Sequence, residues 1–295
     1  MPDDRILRHH DQESGIVRLS FNNPGRRNTY DPAMRDQLAA YLDEAADDDD
    51  VKVVHLRGEG GVFSTGADMG NAYAWYGSGR PSKDAQAKDA QAKERRPSQR
   101  RRLTVDRHSF GFYHNFIGFP KVTVAEVSGF ALGGGFELAL AADIAVVARD
   151  ARIGMPAARF LGPALGSLHL FFHRLGPVLA RRMLLTGDII EAADLEPHGV
   201  FTEFASAESV PARATYWARK AARMPADGIV LAKEAFRLVE QLQAYQGEEV
   251  FSYITHAFGT NLRFEEGEFN FVKTRAEHGT KEAFRLRDEY FDISD

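Results

Sequence analysis

The sequence predicts an α/β protein. Short Val-rich runs recur at 16–21, 51–58, 121–127 and 144–148, and helix-period segments separate most of them. The strand–helix–strand spacing suits right-handed βαβ crossovers. Beyond about residue 205 the strand-like runs stop. PARATYWARKAARM, DGIVLAKEAFRLVEQLQAYQ and later segments ending near FRLRDEYF read there as helices.

In chain order, IVRLSF (16–21) alternates as a strand and leads into the turn Asn22–Arg27. Asp31 is placed to cap a helix, with Pro32 at its first position, running to about Ala46. The acidic run Asp47–Asp50 reads as a solvated connection. VKVVHLRG (51–58) is the next strand, and GEGGVF leads to the FSTGAD loop. Residues 77–105 stand apart: DAQAK occurs twice in tandem and large apolar residues are few. Such a segment cannot bury itself, so it is predicted to be an exposed helix or a mobile excursion. HSFGFYHNFIGFP (108–120) is dense in aromatics and reads as a helix packed into the core. KVTVAEV (121–127) and IAVVA (144–148) are buried strands. GPVLARRMLLTG (176–187) reads as a helix stopped by glycine, and EAADLEPHG as a short one.

The chemistry centres on GFALGGGFELALAAD (129–143). Three consecutive glycines, Gly133 to Gly135, let backbone approach a ligand closely and open the helix FELALAAD. Amides at a helix start lack intrahelical partners and lie at the positive end of its dipole, so they can hold an anion or a developing oxyanion. Glu137 follows Gly134 by three residues, which brings a carboxylate to the same ligand. Oxyanion donors beside a carboxylate suggest acyl chemistry. Glycine-rich turns also serve packing and phosphate binding, but the G-x-G-x-x-G pattern is not met and no GKS or GKT follows.

Four segments then match in order and spacing over about residues 15–205. They are NNPGRRNTYDPAM (22–34), FSTGADM (63–69), GFALGGGFELALAADI and LLTGDIIEAADLEPHGVFTE (184–203). Together they resemble the crotonase (enoyl-CoA hydratase/isomerase) superfamily. The resemblance implies a repeated ββα spiral core over 1–205, with a C-terminal helical region, 206–295, that makes trimer contacts and covers a neighbouring active site. It implies a homotrimer or a dimer of trimers and an acyl-CoA thioester as substrate. Coenzyme A is then part of the substrate, with no separate cofactor and no metal. The backbone amides of Ala67 and Gly134 become the paired oxyanion donors, next to Gly133, with Glu137 as general acid/base. Arg27 joins the substrate-binding turn, and Asp68 and Met69 match positions lining the adenine end of coenzyme A. Lys273, in FNFVKTRAE, resembles a basic residue that approaches its phosphate. The basic excess between Lys83 and Arg102 is either a solvated face or a lid attracting those phosphates.

One departure matters. Hydratases of this superfamily read "F-G-x-P-E" where this chain reads IGMPA, so Ala157 stands in place of the second catalytic glutamate, and the following loop lacks "P-G-x-G-G". Hydration uses one group to activate water and another to protonate carbon, for which two carboxylates serve. His108, His114, Arg159 and His169 are candidates to reach the pocket, each with a structural reading beside it. His169 and His173 are four apart, as two helical metal ligands would be, but no H-E-x-x-H supports a metal. Hydration or double-bond isomerisation of an enoyl-CoA therefore ranks first. C–C bond hydrolysis or decarboxylation of a β-oxoacyl-CoA follows, as does a catalytically reduced acyl-CoA- or RNA-binding protein.

Composition bounds these readings. A formal net charge of -5 argues against a DNA-binding role. Residues 77–105 contain no aromatic to stack bases, so RNA would be held by phosphate attraction alone. Zero cysteines exclude disulfides and thiolate chemistry and fit a reducing cytoplasm. The first residues have no apolar signal-like stretch, and no run of 18 apolar residues suggests a membrane span.

Overall fold

The computed structural model of the chain describes residues 5–69, 98–161, 167–242, 251–256, 264 and 267–292. Strands β1 (Ile6–Asp11) and β2 (Ile16–Phe21) form an antiparallel hairpin. Four strands then add in parallel: β3 (Val53–Gly58), β4 (Val122–Val127), β6 (Ile144–Ala148) and β9 (Glu203–Ala205), giving the order β1-β2-β3-β4-β6-β9. A second sheet joins β5 (Phe130–Leu132), β7 (Arg152–Gly154) and β8 (Ile189–Glu191). The sequence gives no signal for β1, because it is an edge strand on which only Ile6 is well buried and ILRHHD is mostly polar.

The helices are α1 (Pro32–Asp47), α2 (Gln99–Ile117), α3 (Gly134–Ala141), α4 (Ala158–Leu161), α5 (Leu168–Thr186), α6 (Val210–Ala222), α7 (Ala226–Leu242), α8 (Phe271–His278) and α9 (Thr280–Phe291). Asp31 caps α1 as expected, its carboxylate accepting from Met34 N at 2.9 Å, with Pro32 at the first position. Helix α6 presents Val210, Ala214 and Ala218 to the large sheet, one residue per turn and small enough for close approach. Helix α3 is buried on nearly every residue, between α2 and α5 and against β4 and β5.

Residues 99–105 are a mostly exposed helix, one of the two readings of 77–105: they open α2 under a Ser98 cap, continuous with the aromatic run, and among them only Arg102 is buried. Residues 77–97 lie outside those described. Helix α5 begins at Leu168 rather than Gly176; Gly176 (φ 70°, ψ 164°), followed by Pro177, breaks it into two halves. EAADLEPHG forms a 3-10 helix at Ala192–His198, closed by Gly199.

The C-terminal helices α8 and α9 make a small apolar cluster of their own. Phe271 and Ala283 are its buried centre, with Met69, Ala157 and Phe284 packed around it. These helices therefore lie on the 67–69 loop and Ala157 of their own chain. Among the described residues no helix is long and apolar enough to cross a membrane.

Candidate active site

The site is assembled from two turns and a helix start. Asn28 is wholly buried with φ 54°, a left-handed conformation that asparagine tolerates. Its side chain accepts from Asn23 N (2.8 Å) and donates to the carbonyls of Glu59 (2.9 Å) and Val62 (2.6 Å), so it pins the first turn to the second. Ser64 Oγ donates to the Asn28 carbonyl (2.8 Å) and accepts from Gly66 N (3.0 Å). Tyr30 and Ala67 then form an isolated parallel bridge, in which Tyr30 N donates to Gly66 O (3.0 Å) and Asp68 N to Tyr30 O (2.9 Å). That bridge engages the neighbours of Ala67 and leaves the Ala67 N–H directed away from Tyr30. On the other flank Ser64 bridges Ala131 and draws the loop against the glycine turn. Gly66 (φ 79°) sits so close that a β-carbon there would stand 2.7 Å from the Leu132 carbonyl oxygen and 2.8 Å from Gly134 N. Ala67 and Gly134 are thereby neighbours. Among the described residues, neither amide donates to any protein atom.

Glu137, one turn into α3, is 3% exposed, and Ser167 Oγ donates to its Oε1 at 2.5 Å from the start of α5. Over Gly134 stand two phenols, Tyr30 (3% exposed) and Tyr113 of α2 (7%), whose hydroxyls hydrogen-bond to each other. A β-carbon at Gly134 would collide with both oxygens. Burial pushes both phenols well above the ordinary tyrosine range, and the charge of Glu137 pushes the same way, so both are neutral at pH 7. The Tyr30 ring is fixed by stacking on Phe21, centroids 5.7 Å apart. The site thus combines two unused amides, one buried carboxylate and three hydroxyls.

The enoyl-CoA hydratase/isomerase family profile matches residues 11–93 and 86–281 of the chain. The chain belongs to this family. It is 27% identical over 237 residues to 2,3-dehydroadipyl-CoA hydratase of Escherichia coli (strain K12), covering 80% of this chain and 84% of that one. It is 28% identical over 236 residues to 1,2-epoxyphenylacetyl-CoA isomerase of the same organism, covering 80% and 82%. Among solved structures, an enoyl-CoA hydratase/isomerase from Xanthobacter autotrophicus Py2 superposes with a TM-score of 0.78 at 26% identity, covering 98% of this chain and 99% of that one. The crotonase fold and its C-terminal helical region are therefore those of this chain.

Within this enoyl-CoA hydratase/isomerase framework the other candidate residues fall into three groups. Ala67 lies beside Gly134, and Gly133 and Glu137 share the start of α3, where Glu137 N donates to the Gly133 carbonyl at 3.1 Å. Arg27, Asp68, Met69 and Lys273 lie towards the surface near the same loops. Arg27 is exposed and stacks over Phe130 (4.8 Å), and Asp68 accepts from Arg26 (2.9 Å). The Met69 carbonyl accepts from Arg275 of α8, the helix that carries the exposed Lys273.

Of the third group, His108 and Arg159 are engaged away from the carboxylate. His108 is exposed, with Nε2 3.1 Å from Asp36, because its position on α2 faces α1 and solvent. His114 is buried with Nδ1 3.0 Å from its own helix's Phe110 carbonyl. Arg159 turns away: Nε donates to the Thr186 carbonyl (3.0 Å), and its guanidinium lies 5.1 Å from the Phe291 ring centroid of α9. His169 is half-buried on the first turn of α5 and His173 is exposed. Among the described residues no three His, Asp or Glu side chains are grouped to hold a metal. The motif's last residue, Asp143, is structural: it accepts from Thr123 N (2.8 Å) and Oγ1 (3.0 Å) and pairs with Lys233 Nζ (2.6 Å) of α7.

Sequence reasoning missed Tyr30, Tyr113 and Ser167. A signal existed for two of them. Tyr30 puts a phenol in the matching segment NNPGRRNTYDPAM, and Ser167 follows the stretch that departs from the family pattern after Ala157.

Proposed function

We propose that this protein isomerises the double bond of an enoyl-CoA thioester through an enolate. The thioester carbonyl oxygen is held by the Ala67 and Gly134 amides, and Glu137 takes the proton whose removal forms the enolate. Preorganised amides of this kind stabilise charge where it develops, at no cost of reorganisation during the reaction. The observation that carries the reading is the company of Glu137. Ser167, Tyr30 and Tyr113 set hydroxyls around it, and the position where a second carboxylate would stand is Ala157. Isomerisation moves one proton and needs no activated water, so a single carboxylate serves as its base. The acyl-CoA substrate is supported by the relatives' names, and Lys273, Asp68 and Met69 are the candidates for its nucleotide end. A homo-oligomer, a trimer or dimer of trimers, is supported by the apolar side chains that α7 exposes, Leu231, Phe236, Leu238 and Leu242 among them.

The test is turnover on a panel of 2-enoyl-, 3-enoyl- and β-oxoacyl-CoA thioesters, by wild type and Glu137→Gln. Wild type should interconvert 3-enoyl and 2-enoyl thioesters. Glu137→Gln should fall by about 10²–10⁴, the usual share of a general acid–base group, while still binding thioester. Robust hydration without isomerisation, or full activity in Glu137→Gln, would overturn the reading.

A further inference from the structure

We propose that the Tyr30–Tyr113 hydroxyl pair is the second proton carrier of this site, the group that delivers the proton forming the new C–H bond. The inference rests on the isomerase reading above and deepens it.

Two neutral phenols hold two O–H groups, and the hydrogen bond between them uses one. The other donates to no protein atom among the described residues. A buried donor left without an acceptor costs about 1–3 kcal/mol, so the site is built at some expense unless a ligand atom accepts there. The place is specific. Both oxygens lie directly over Gly134, whose amide is one of the two unused donors, and both phenols feel the charge of Glu137. Both are also held rigidly, Tyr30 by its stack on Phe21 and Tyr113 by its burial within α2. Two hydroxyls from distant parts of the chain, meeting where a side chain on Gly134 is forbidden, form a fixed donor rather than filler.

The proton balance closes without any outside reagent. The C–H bond at the α-carbon of a 3-enoyl thioester breaks, and its proton passes to a Glu137 carboxylate oxygen. The electron pair enters a dienolate whose oxygen faces the Ala67 and Gly134 amides. A phenol O–H of the pair then breaks and its proton forms the new bond at the γ-carbon. The phenolate left behind takes the proton held by Glu137, directly or along the Tyr–Tyr hydrogen bond, and the site returns to its starting state. The couplings favour this order. Burial keeps both phenols protonated and the charge of ionised Glu137 adds to it; once Glu137 is protonated that added repulsion vanishes, which eases transfer of a phenol proton to the strongly basic dienolate carbon.

The test uses Tyr30→Phe and Tyr113→Phe separately, each of which removes one oxygen and keeps the ring. Three quantities are read on wild type and on each folded variant: conversion of 3-enoyl to 2-enoyl thioester, deuterium uptake into the unconverted 3-enoyl thioester in D₂O, and calorimetric affinity for a non-reactive acyl-CoA thioether. The expected result is a loss of conversion of about 10²–10⁴ in each variant, with deuterium uptake at the α-carbon and thioether affinity near wild type. That split arises because Glu137 still abstracts and returns protons while delivery to the γ-carbon fails. Conversion at the wild-type rate in either variant overturns the proposal. So does a parallel loss of conversion, exchange and affinity, which would make the pair a packing element. Neither result touches the isomerase reading, which falls on its own test, if wild type fails to isomerise any thioester or Glu137→Gln keeps full activity; that outcome would remove this step with it.

Discussion

Gly134 is a glycine for want of room, not for its backbone: its φ is not among the positive values, so alanine could adopt it. The Tyr30 and Tyr113 hydroxyls occupy the space a methyl group would need. Gly134→Ala should therefore overpack the site, at about 1–3 kcal/mol by denaturant unfolding. Because a displacement near 1 Å costs about 10²-fold, it should also lower turnover at least that much. Adding Tyr113→Phe should recover part of the stability and none of the turnover. A double variant as unstable as the single one would show that the hydroxyl is not what the methyl meets. Ala157→Glu tests the other departure at this scale. Ala157 packs at the seam between the main core and the Phe271 cluster, so a carboxylate there enters apolar surroundings, which favour its neutral form. A steady-state assay should find no hydratase activity gained; robust hydration in the variant alone would show that the old two-carboxylate pocket survives. What could be read at this scale from sequence was local. The Asp31 cap, the glycine turn and Glu137 each depend on residues within one helical turn. The phenol pair joins positions 83 apart in sequence, and no local signal announces such a meeting.

At the scale of elements, the C-terminal pair α8–α9 has an apolar cluster separate from the main core. It is joined to the 67–69 loop by the Phe271 cluster and by the Arg275 bond to the Met69 carbonyl. Phe271→Ala removes the cluster's centre, and a buried Phe→Ala change costs about 3–5 kcal/mol. The expected outcome is faster proteolytic cutting within α8 and α9 and weaker acyl-CoA binding, with the large sheet still protected in hydrogen exchange. Uniform loss of protection across the sheet would mean that the two parts unfold as one. Sequence pattern located α1, β2, β3, β4, β6 and α3 because each carries its own periodicity or cap. It misplaced the start of α2, where a polar, Arg-rich first turn looks like exposed linker although Arg102 is buried. It missed β1, whose strand character comes from pairing with β2 and not from its own residues.

Across the whole molecule, one buried charge should shape stability against acid. Glu126 of β4 lies beneath α6, with His55 Nε2 3.0 Å from its Oε2 and Arg57 Nε 3.7 Å from its Oε1. Burial pushes this carboxyl up, but contact with His55 and the charges of His55, Arg57 and Arg18 outweigh it and hold the carboxyl below its ordinary 4.5. A carboxylate lowered in the folded state binds protons more readily when unfolded. Its stabilisation is thus complete above about pH 4.5 and is lost as pH falls below that value through the folded-state pKa. Glu126→Gln should be less stable than wild type at pH 7, and the gap should narrow below pH 4.5 when unfolding is followed by denaturant titration at each pH; a constant gap would assign the effect to packing. The exposed side chains of α7 give a second expectation. Leu231→Asp with Phe236→Asp should lower the sedimenting mass if α7 forms the subunit contact, and an unchanged mass would place that contact elsewhere.

The order of the large sheet, β1-β2-β3-β4-β6-β9, is also the order in which those strands occur along the chain. A polypeptide leaving the ribosome from its N-terminus, at about 5–20 residues per second, would therefore find each new strand's partner already waiting at the growing edge. No earlier pairing has to be undone to admit a later strand. At every intermediate length, however, one row of unpaired N–H and C=O groups faces solvent, and such an edge invites pairing with another chain. That hazard would persist through the long interval between β3 and β4, while residues 59–121 are being synthesised, and it would shrink to the three residues of β9 when Glu203–Ala205 takes its place beside β6.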